Sequence, residues 1–496
     1  MTNEGFGAVL KRLAARRPDD IAVRYGENQV TWEEFDRRTD ARAGQLVSSG
    51  VAQDGRVAIA LPNGVGHHEW VFATWKAGAT PCIIPHRLPA NELSEIIALA
   101  TPAAIIGTEA RQSGDAVFIA GDSPLPVRQA TPPRQPASSW KIVASGGSTG
   151  RPKLIVDRGP AELTAGLEGI IDLLGIPRDG TVLNAGPLYH NGPFLFSNLA
   201  LIAGSRVVGM NRFDPEEWLK LVERERVEWC FLVPTMMHRI WSLPAEVRLA
   251  YDISSLKRIV HMAAACPVWL KSAWIDWLGP DRVFEGYAGT ETPGTTISGA
   301  EWLKKPGSVG RVAPDTITVR GPDGLECQPG EIGEIFFPPT SADRFHYIGS
   351  APTLDASGRV SLGDMGYIDP DGYLYLADRR TDMIIRGGAN IYPAEIEAAF
   401  DEHPAVAGAA AIGLPCEEFG HRVHVILQVR AGNEVPIKNV IAFAADRLAA
   451  YKRPETYEII DGPLRDDAGK IRRSALRDER IEWLRTGKPF QQAIER

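Results

Sequence analysis

The sequence predicts an α/β fold with room for more than one domain. Continuous apolar runs such as Val57-Ala58-Ile59-Ala60-Leu61 read as strands buried on both faces. Stretches with helical spacing, such as Phe6, Val9, Leu10 and Leu13, alternate with them, which is the α/β pattern. A chain of 496 residues exceeds the usual size of one domain and can bury a large core.

Taken in order, the spacing predicts a helix over 6–16, a strand over 21–25 and a turn at 26–28. Thr31-Trp32-Glu33-Glu34 is a capping box that opens a helix reaching Ser49, where Gly50 stops it. A strand over 57–61, a helix over 68–77 and a strand over 80–84 follow. Residues 121–139, rich in Pro, Ser and Gln, form a loop. Helices are predicted over 161–174 and 214–226, the second with Pro215 in its first turn. Strands are predicted over 206–208, 229–234 and 256–262. The segments 330–335 and 360–364 are β-rich, and a helix over 394–403 comes later.

Composition excludes several classes. Apolar residues make up 44% and charged residues 23%, as in a soluble globular protein. A net charge of −8 argues against a general nucleic-acid binder. Five scattered cysteines (Cys82, Cys230, Cys266, Cys327, Cys416), with no CxxC pair, indicate neither a zinc site nor a disulfide framework, and suit a reducing, cytoplasmic setting. Residues 1–17 carry charges throughout, so no signal peptide is expected. No apolar run approaches the length of a membrane span.

The densest chemical signal is Ser145-Gly146-Gly147-Ser148-Thr149-Gly150-Arg151-Pro152-Lys153. Apolar residues flank it on both sides, which reads as strand, tight loop, strand. Glycines let successive N–H groups cradle phosphate oxygens, Ser148 and Thr149 add hydroxyl donors, and Lys153 adds charge. It is not a Walker loop, because Arg151-Pro152 separates the last glycine from the lysine. A plain surface hairpin is the alternative. Gly186-Pro187-Leu188-Tyr189-His190-Asn191-Gly192-Pro193, taken alone, reads as a Gly/Pro turn whose His190 caps a helix. Gly286-Tyr287-Ala288-Gly289-Thr290-Glu291, taken alone, reads as a glycine-rich turn whose Thr-Glu caps a helix. Asp364, after a strand and a glycine, can accept hydrogen bonds from two ribose hydroxyls or sit in a β-turn.

In joint order from Ser145 to Lys470, these motifs resemble the adenylate-forming superfamily of acyl-CoA synthetases, luciferases and peptide-synthetase adenylation domains. The glycine-rich loop matches the family pattern from Gly147 to Lys153 and departs at Ser145, Gly146 and Leu154. The second loop departs at Ala288. The resemblance implies a large N-terminal multi-sheet α/β domain over residues 1–381 and a smaller, mobile C-terminal α+β lid over 382–496. Thr381 stands at the family's hinge position.

The resemblance also implies roles. Ser148, Thr149, Gly150 and Lys153 would hold nucleotide phosphates, with the hydroxyls of Ser148 and Thr149 stabilising charge during reaction. Ala264 and Ala265 would flank adenine, Tyr287 would stack on it, and Thr290 would contact phosphate. Glu291 would hold Mg2+, Asp364 the ribose, and Arg379 ribose or phosphate. Tyr189, His190, Asn191 and Ala288 would line the acid site, with Phe194, Pro234 and His238 as further candidates and His190 as gate. Gly387 and Gly388 would admit the pantetheine arm. Lys470 would bridge the acid carboxylate and the α-phosphate.

The activity implied is that of an ATP-dependent carboxylic acid–CoA ligase that forms AMP and pyrophosphate through an acyl-adenylate, using ATP, Mg2+ and CoA. Pocket candidates of mixed polarity point to a medium-sized or ring-bearing acid. Two alternatives stand beside it: a stand-alone adenylating enzyme that loads a carrier protein, and a non-catalytic nucleotide-binding protein on the same fold. The expected partners are small molecules and not nucleic acid, and a homodimer is one assembly the sequence leaves open.

Overall fold

The computed structural model describes residues 3–88, 90–107, 116–126, 135–146, 152–379, 382–386, 389–416, 418–430, 437–466, 469–490 and 494–495. The first helix, Phe6–Arg16, buries Phe6, Val9, Leu10 and Leu13, the residues whose spacing predicts it. Helix Trp32–Ser48 starts where the capping box requires: the Glu34 N–H donates to Thr31 Oγ1 at 3.2 Å. Helix Pro215–Glu225 is capped by Asp214, which accepts from the N–H groups of Glu216 and Glu217.

An eight-stranded sheet carries the middle of the chain. Its strand order is Thr295–Ser298, Val283–Tyr287, Arg258–His261, Trp229–Leu232, Thr181–Asn184, Arg206–Gly209, Ile21–Tyr25 and Asn28–Thr31. The six inner strands run parallel, and the two outer pairings are antiparallel. A second sheet of seven strands contains Ile142–Gly146 and Pro152–Asp157, paired antiparallel with Ser145 opposite Lys153 and Gly146 opposite Pro152. Strand, loop, strand is therefore the geometry around the glycine-rich segment. A third, antiparallel sheet pairs Val360–Ile368 with Tyr373–Arg379. The largest hydrophobic core joins the first helices to the eight-stranded sheet, with Trp32, Trp70, Trp218, Trp229, Trp274 and Trp302 buried in it.

The chain from Ile384 onward packs on itself. Its two hydrophobic clusters draw only on residues from Ile384 to Phe490. They cover the sheet of Val406–Cys416, Gly420–Val429 and Thr456–Ile460, flanked by helices Pro393–Asp401, Ile437–Ala445 and Arg473–Thr486. The fold is thus α/β with a smaller α+β C-terminal unit.

Two elements differ from the sequence expectation. The helix predicted from Ala161 begins at Ala165, because Glu162–Leu163 pairs as a short strand with Glu4–Gly5 and Thr164 takes the N-cap. Phe345–Ile348, which no periodicity marks, is an edge strand paired with Pro152–Asp157. Among the described residues no helix is long and apolar enough to cross a membrane.

Candidate active site

Four parallel strands of the eight-stranded sheet end in the segments singled out from the sequence. Thr181–Asn184 leads to Gly186–His190, Trp229–Leu232 to Pro234, Arg258–His261 to Ala263–Ala265, and Val283–Tyr287 to Ala288–Glu291. Carboxyl ends of parallel strands are where such sheets bind ligands, since the loops there converge above the sheet.

Glu291 is 9% exposed and accepts a hydrogen bond from the Tyr347 hydroxyl at 2.6 Å. Lys153 Nζ stands 3.8 Å from Glu291 Oε1 and 3.8 Å from the centroid of the Tyr347 ring. The lysine of the glycine-rich loop and the acid of the second loop are therefore neighbours, although they stand 138 positions apart in the sequence. Burial, then the Glu291 charge, raises the pKa of the Tyr347 hydroxyl well above its ordinary value, so Tyr347 stays a donor. No helix starts at Thr290-Glu291, which removes the capping alternative there.

Tyr287 and Asp364 also meet: the tyrosine hydroxyl donates to Asp364 Oδ2 at 2.8 Å. Asp364 lies opposite Arg379 in the register of the third sheet, which puts the Arg379 backbone beside it. Ala263, at the turn next to Ala264 and Ala265, has φ +78°. That left-handed geometry costs a non-glycine residue about 1 kcal/mol.

Below these loops the strand Val283–Tyr287 is tied to helix Val268–Leu278. Lys271 Nζ donates to Glu285 Oε2 at 2.5 Å, and both are buried. Burial lowers the lysine pKa and raises that of the glutamate, and their contact opposes both shifts. His261 beside them is fully buried, and burial holds its pKa far below the ordinary value.

The loop over 186–193 is held from an unexpected side. Asn63 Nδ2 donates to the carbonyls of Gly186 and Met210, and its Oδ1 accepts from the Leu188 N–H at 2.8 Å. The Tyr189 and His190 rings lie 4.5 Å apart at the mouth of this loop. His190 does take the N-cap position of helix Asn191–Ile202, but its side chain makes no cap hydrogen bond. Phe194 is buried in the main core against Trp75 and Trp140.

The C-terminal unit reaches the same strand ends. Gly469, at φ +76°, leaves no room for a Cβ, which would fall 1.9 Å from Thr235 Oγ1 just past strand Trp229–Leu232. Lys470 follows it, exposed, with its backbone N–H donating to Asp466 Oδ1 at 2.9 Å. Arg430 Nη2 donates to His238 Nε2 at 2.9 Å across the two units. This gives His238 an interdomain partner.

Ser148, Thr149, Gly150, Gly387 and Gly388 lie outside the described residues, as does the Arg379 side chain. Sequence reasoning missed Asn63, Lys141, Tyr347, Lys271 and Glu285. Asn63 stands in Leu61-Pro62-Asn63-Gly64, a turn signal that marks a loop without naming its partner. Among the described residues no group of three or more His, Cys, Asp or Glu could hold a metal. Glu291 offers one carboxylate, which fits a magnesium ion that takes its other oxygens from phosphate and water.

This architecture sets loops that converge at parallel strand ends against a smaller unit, an arrangement able to enclose a ligand. The chain belongs to the AMP-binding enzyme family: residues 10–338 match that family, and residues 395–470 match the AMP-binding enzyme C-terminal domain. It is 32% identical to a feruloyl-CoA synthase of an Amycolatopsis species, over 96% of this chain and 99% of that protein. It is 29% identical to the long-chain-fatty-acid–CoA ligase FadD13 of Mycobacterium tuberculosis, over 91% of this chain and 93% of that one. The o-succinylbenzoate CoA synthetase MenE of Bacillus subtilis, in complex with its acyl-adenylate intermediate, superposes with a TM-score of 0.80 at 25% identity, covering 96% of this chain and 99% of that one. That enzyme is also known in complex with ATP and magnesium.

Proposed function

We propose that this protein is an AMP-forming carboxylic acid–CoA ligase. A carboxylate is a poor electrophile because its oxygen is a bad leaving group. Attack of the acid on the α-phosphate of ATP expels pyrophosphate and leaves an acyl-adenylate. The CoA thiol then attacks the acyl carbon and AMP departs. The single observation that carries this reading is the approach of Gly469 to Thr235, which sets the Lys470 loop against the strand ends that also carry Glu291 and Tyr287.

Each residue has a task in the first step. Lys470 bridges the carboxylate and the α-phosphate, offsetting the charge that builds there. Lys153, Ser148, Thr149, Gly150 and Thr290 take phosphate oxygens. Magnesium bound on Glu291 would supply further positive charge against the phosphates, and Tyr347 fixes the rotamer of that carboxylate. Tyr287 and the turn at Ala264–Ala265 enclose adenine, while Asp364 and Arg379 hold the ribose. Tyr189, His190, Asn191 and Ala288 line the acid site. In the second step the unit beyond residue 381 turns, withdraws Lys470 and presents Gly387 and Gly388 to the pantetheine arm. The enzyme acts in the cytoplasm, as a homodimer.

The test is AMP release with ATP and magnesium across short alkyl, fatty, aryl and alicyclic acids, with and without CoA. CoA-dependent release on one class is expected, and Lys470→Ala should abolish acyl-adenylate formation. Unchanged adenylate formation in that variant would overturn the mechanism. Release that CoA does not stimulate would overturn CoA as acceptor.

A further inference from the structure

Lys141 is a buried cation that the chemistry above leaves unused. It is 3% exposed. Among the described residues its Nζ makes one hydrogen bond, donating to Asn191 Oδ1 at 2.6 Å, and lies 4.6 Å from the centroid of the Trp140 ring. An ammonium has three donors, so two are left over, and a buried charge this poorly coordinated is costly. Burial lowers its pKa, and the charges of Asp157 and Glu291 oppose that shift.

The strand register says where this cation points. Val143 pairs with Ile155 and Ser145 with Lys153, and the Asp157 N–H bonds to the Lys141 carbonyl. Residues opposite one another, and those two apart, share a face. Lys141 therefore lies on the face that Lys153 occupies, the one turned to Glu291 and Tyr347. It stands four residues further from the nucleotide loop, about 13 Å along the strand. Its partner Asn191 opens the helix directly after His190. The ammonium is thus held at the Asn191 end of the acid site, offset from Lys153 and the glycine-rich loop, which suits a group of the acid remote from its reacting carboxyl.

We propose that Lys141, braced by Asn191, is a specificity residue that selects acids carrying a second hydrogen-bond-accepting oxygen (a hydroxyl, ketone or carboxylate) remote from the reacting carboxyl. This rests on the acid–CoA ligase reading. The acid's oxygen fills the ammonium's open donor positions, and a plain hydrocarbon acid leaves them empty.

The experiment measures kcat/KM for AMP formation, with ATP, magnesium and CoA, on matched pairs. Suitable pairs are cinnamic and 4-hydroxycinnamic acid, cyclohexanecarboxylic and 4-oxocyclohexanecarboxylic acid, and 3-phenylpropionic acid and its 4-carboxy analogue. The wild-type protein should favour the oxygenated member of at least one pair by about 10- to 100-fold, the worth of a hydrogen bond to a charged group. Lys141→Met should erase that preference while the plain acid keeps its kcat/KM within about threefold. Asn191→Asp, which closes the ammonium with a carboxylate at equal volume, should lower the preference in the same direction and carries the test if Lys141→Met does not fold. A wild type that turns over acids without preference in any pair overturns the proposal, as does a Lys141→Met that slows both members of a pair alike. No acid-dependent AMP from any acid would instead remove the ligase reading beneath it.

Discussion

Mild acid should loosen the contact between the two units, because His238 must stay neutral to make it. Arg430 donates to His238 Nε2 at 2.9 Å, which needs a free lone pair on that nitrogen. Burial first, then the guanidiniums of Arg430 and Arg465, pushes His238 down to about 4. With the units apart the ring would return to its ordinary value near 6.5. The docked arrangement therefore disfavours the proton. Its stabilisation is complete above about pH 6.5, falls progressively toward pH 4, and loses nothing more once both states are protonated. At pH 5 the difference is about 2 kcal/mol, or about 30-fold in the ratio of docked to undocked protein. The assay is single-turnover pyrophosphate release without CoA from pH 5 to 7, for the wild type and for His238→Gln. The wild-type rate should fall more steeply, by up to that factor. Asp401, whose carboxyl burial raises to about 6 and which stands 3.5 Å from Arg465, titrates in the same window. The comparison of the two proteins, rather than one profile, thus isolates the histidine. Superimposable profiles would refute the reasoning.

Two further outcomes follow from contacts below and beside the site. Lys271→Met leaves Glu285 buried without its cation and should cost about 3–5 kcal/mol, read as a lower midpoint in urea or thermal unfolding. Adding Glu285→Leu should recover most of it, and an unchanged midpoint in the single variant would show that the pair does not hold the adenine strand. Tyr287→Phe removes the hydroxyl that aims Asp364. The loss of a hydrogen bond to a charged group, about 1.5–3 kcal/mol, should raise the KM for ATP at least about tenfold with a smaller change in kcat. An unaltered KM would count against Asp364 as the ribose acceptor.

Much of the fold was legible because local physics sufficed. Thr31 and Asp214 start their helices where their side chains can cap them, and the buried parallel strands are continuous apolar runs. The edge strand Phe345–Ile348 escaped notice because it is short and takes its pairing from Pro152–Asp157, nearly two hundred residues earlier (345 − 157 = 188). The start of helix Ala165–Leu173 was missed for the same kind of reason: pairing with Glu4–Gly5 overrode local propensity.

The site divides along the same line. Chemistry that needs a residue type in a local pattern, such as glycines beside hydroxyls and a lysine or an acid after a strand and a glycine, is written in the sequence and points to Lys153 and Asp364, whereas Glu291 and Lys470 stand out only through the resemblance to adenylate-forming enzymes. Which of these meet was decided by tertiary structure. Lys153 meets Tyr347 from the neighbouring strand of its own sheet and Glu291 from the edge of another, and Gly469 reaches Thr235 because a separate core docks on the first. Lys141 shows the limit most plainly. In the sequence it is one cation before an apolar run; its burial, with one acceptor at 2.6 Å among the described residues, appears only in the fold, since the cost of a charge depends on its surroundings and not on its neighbours in the chain.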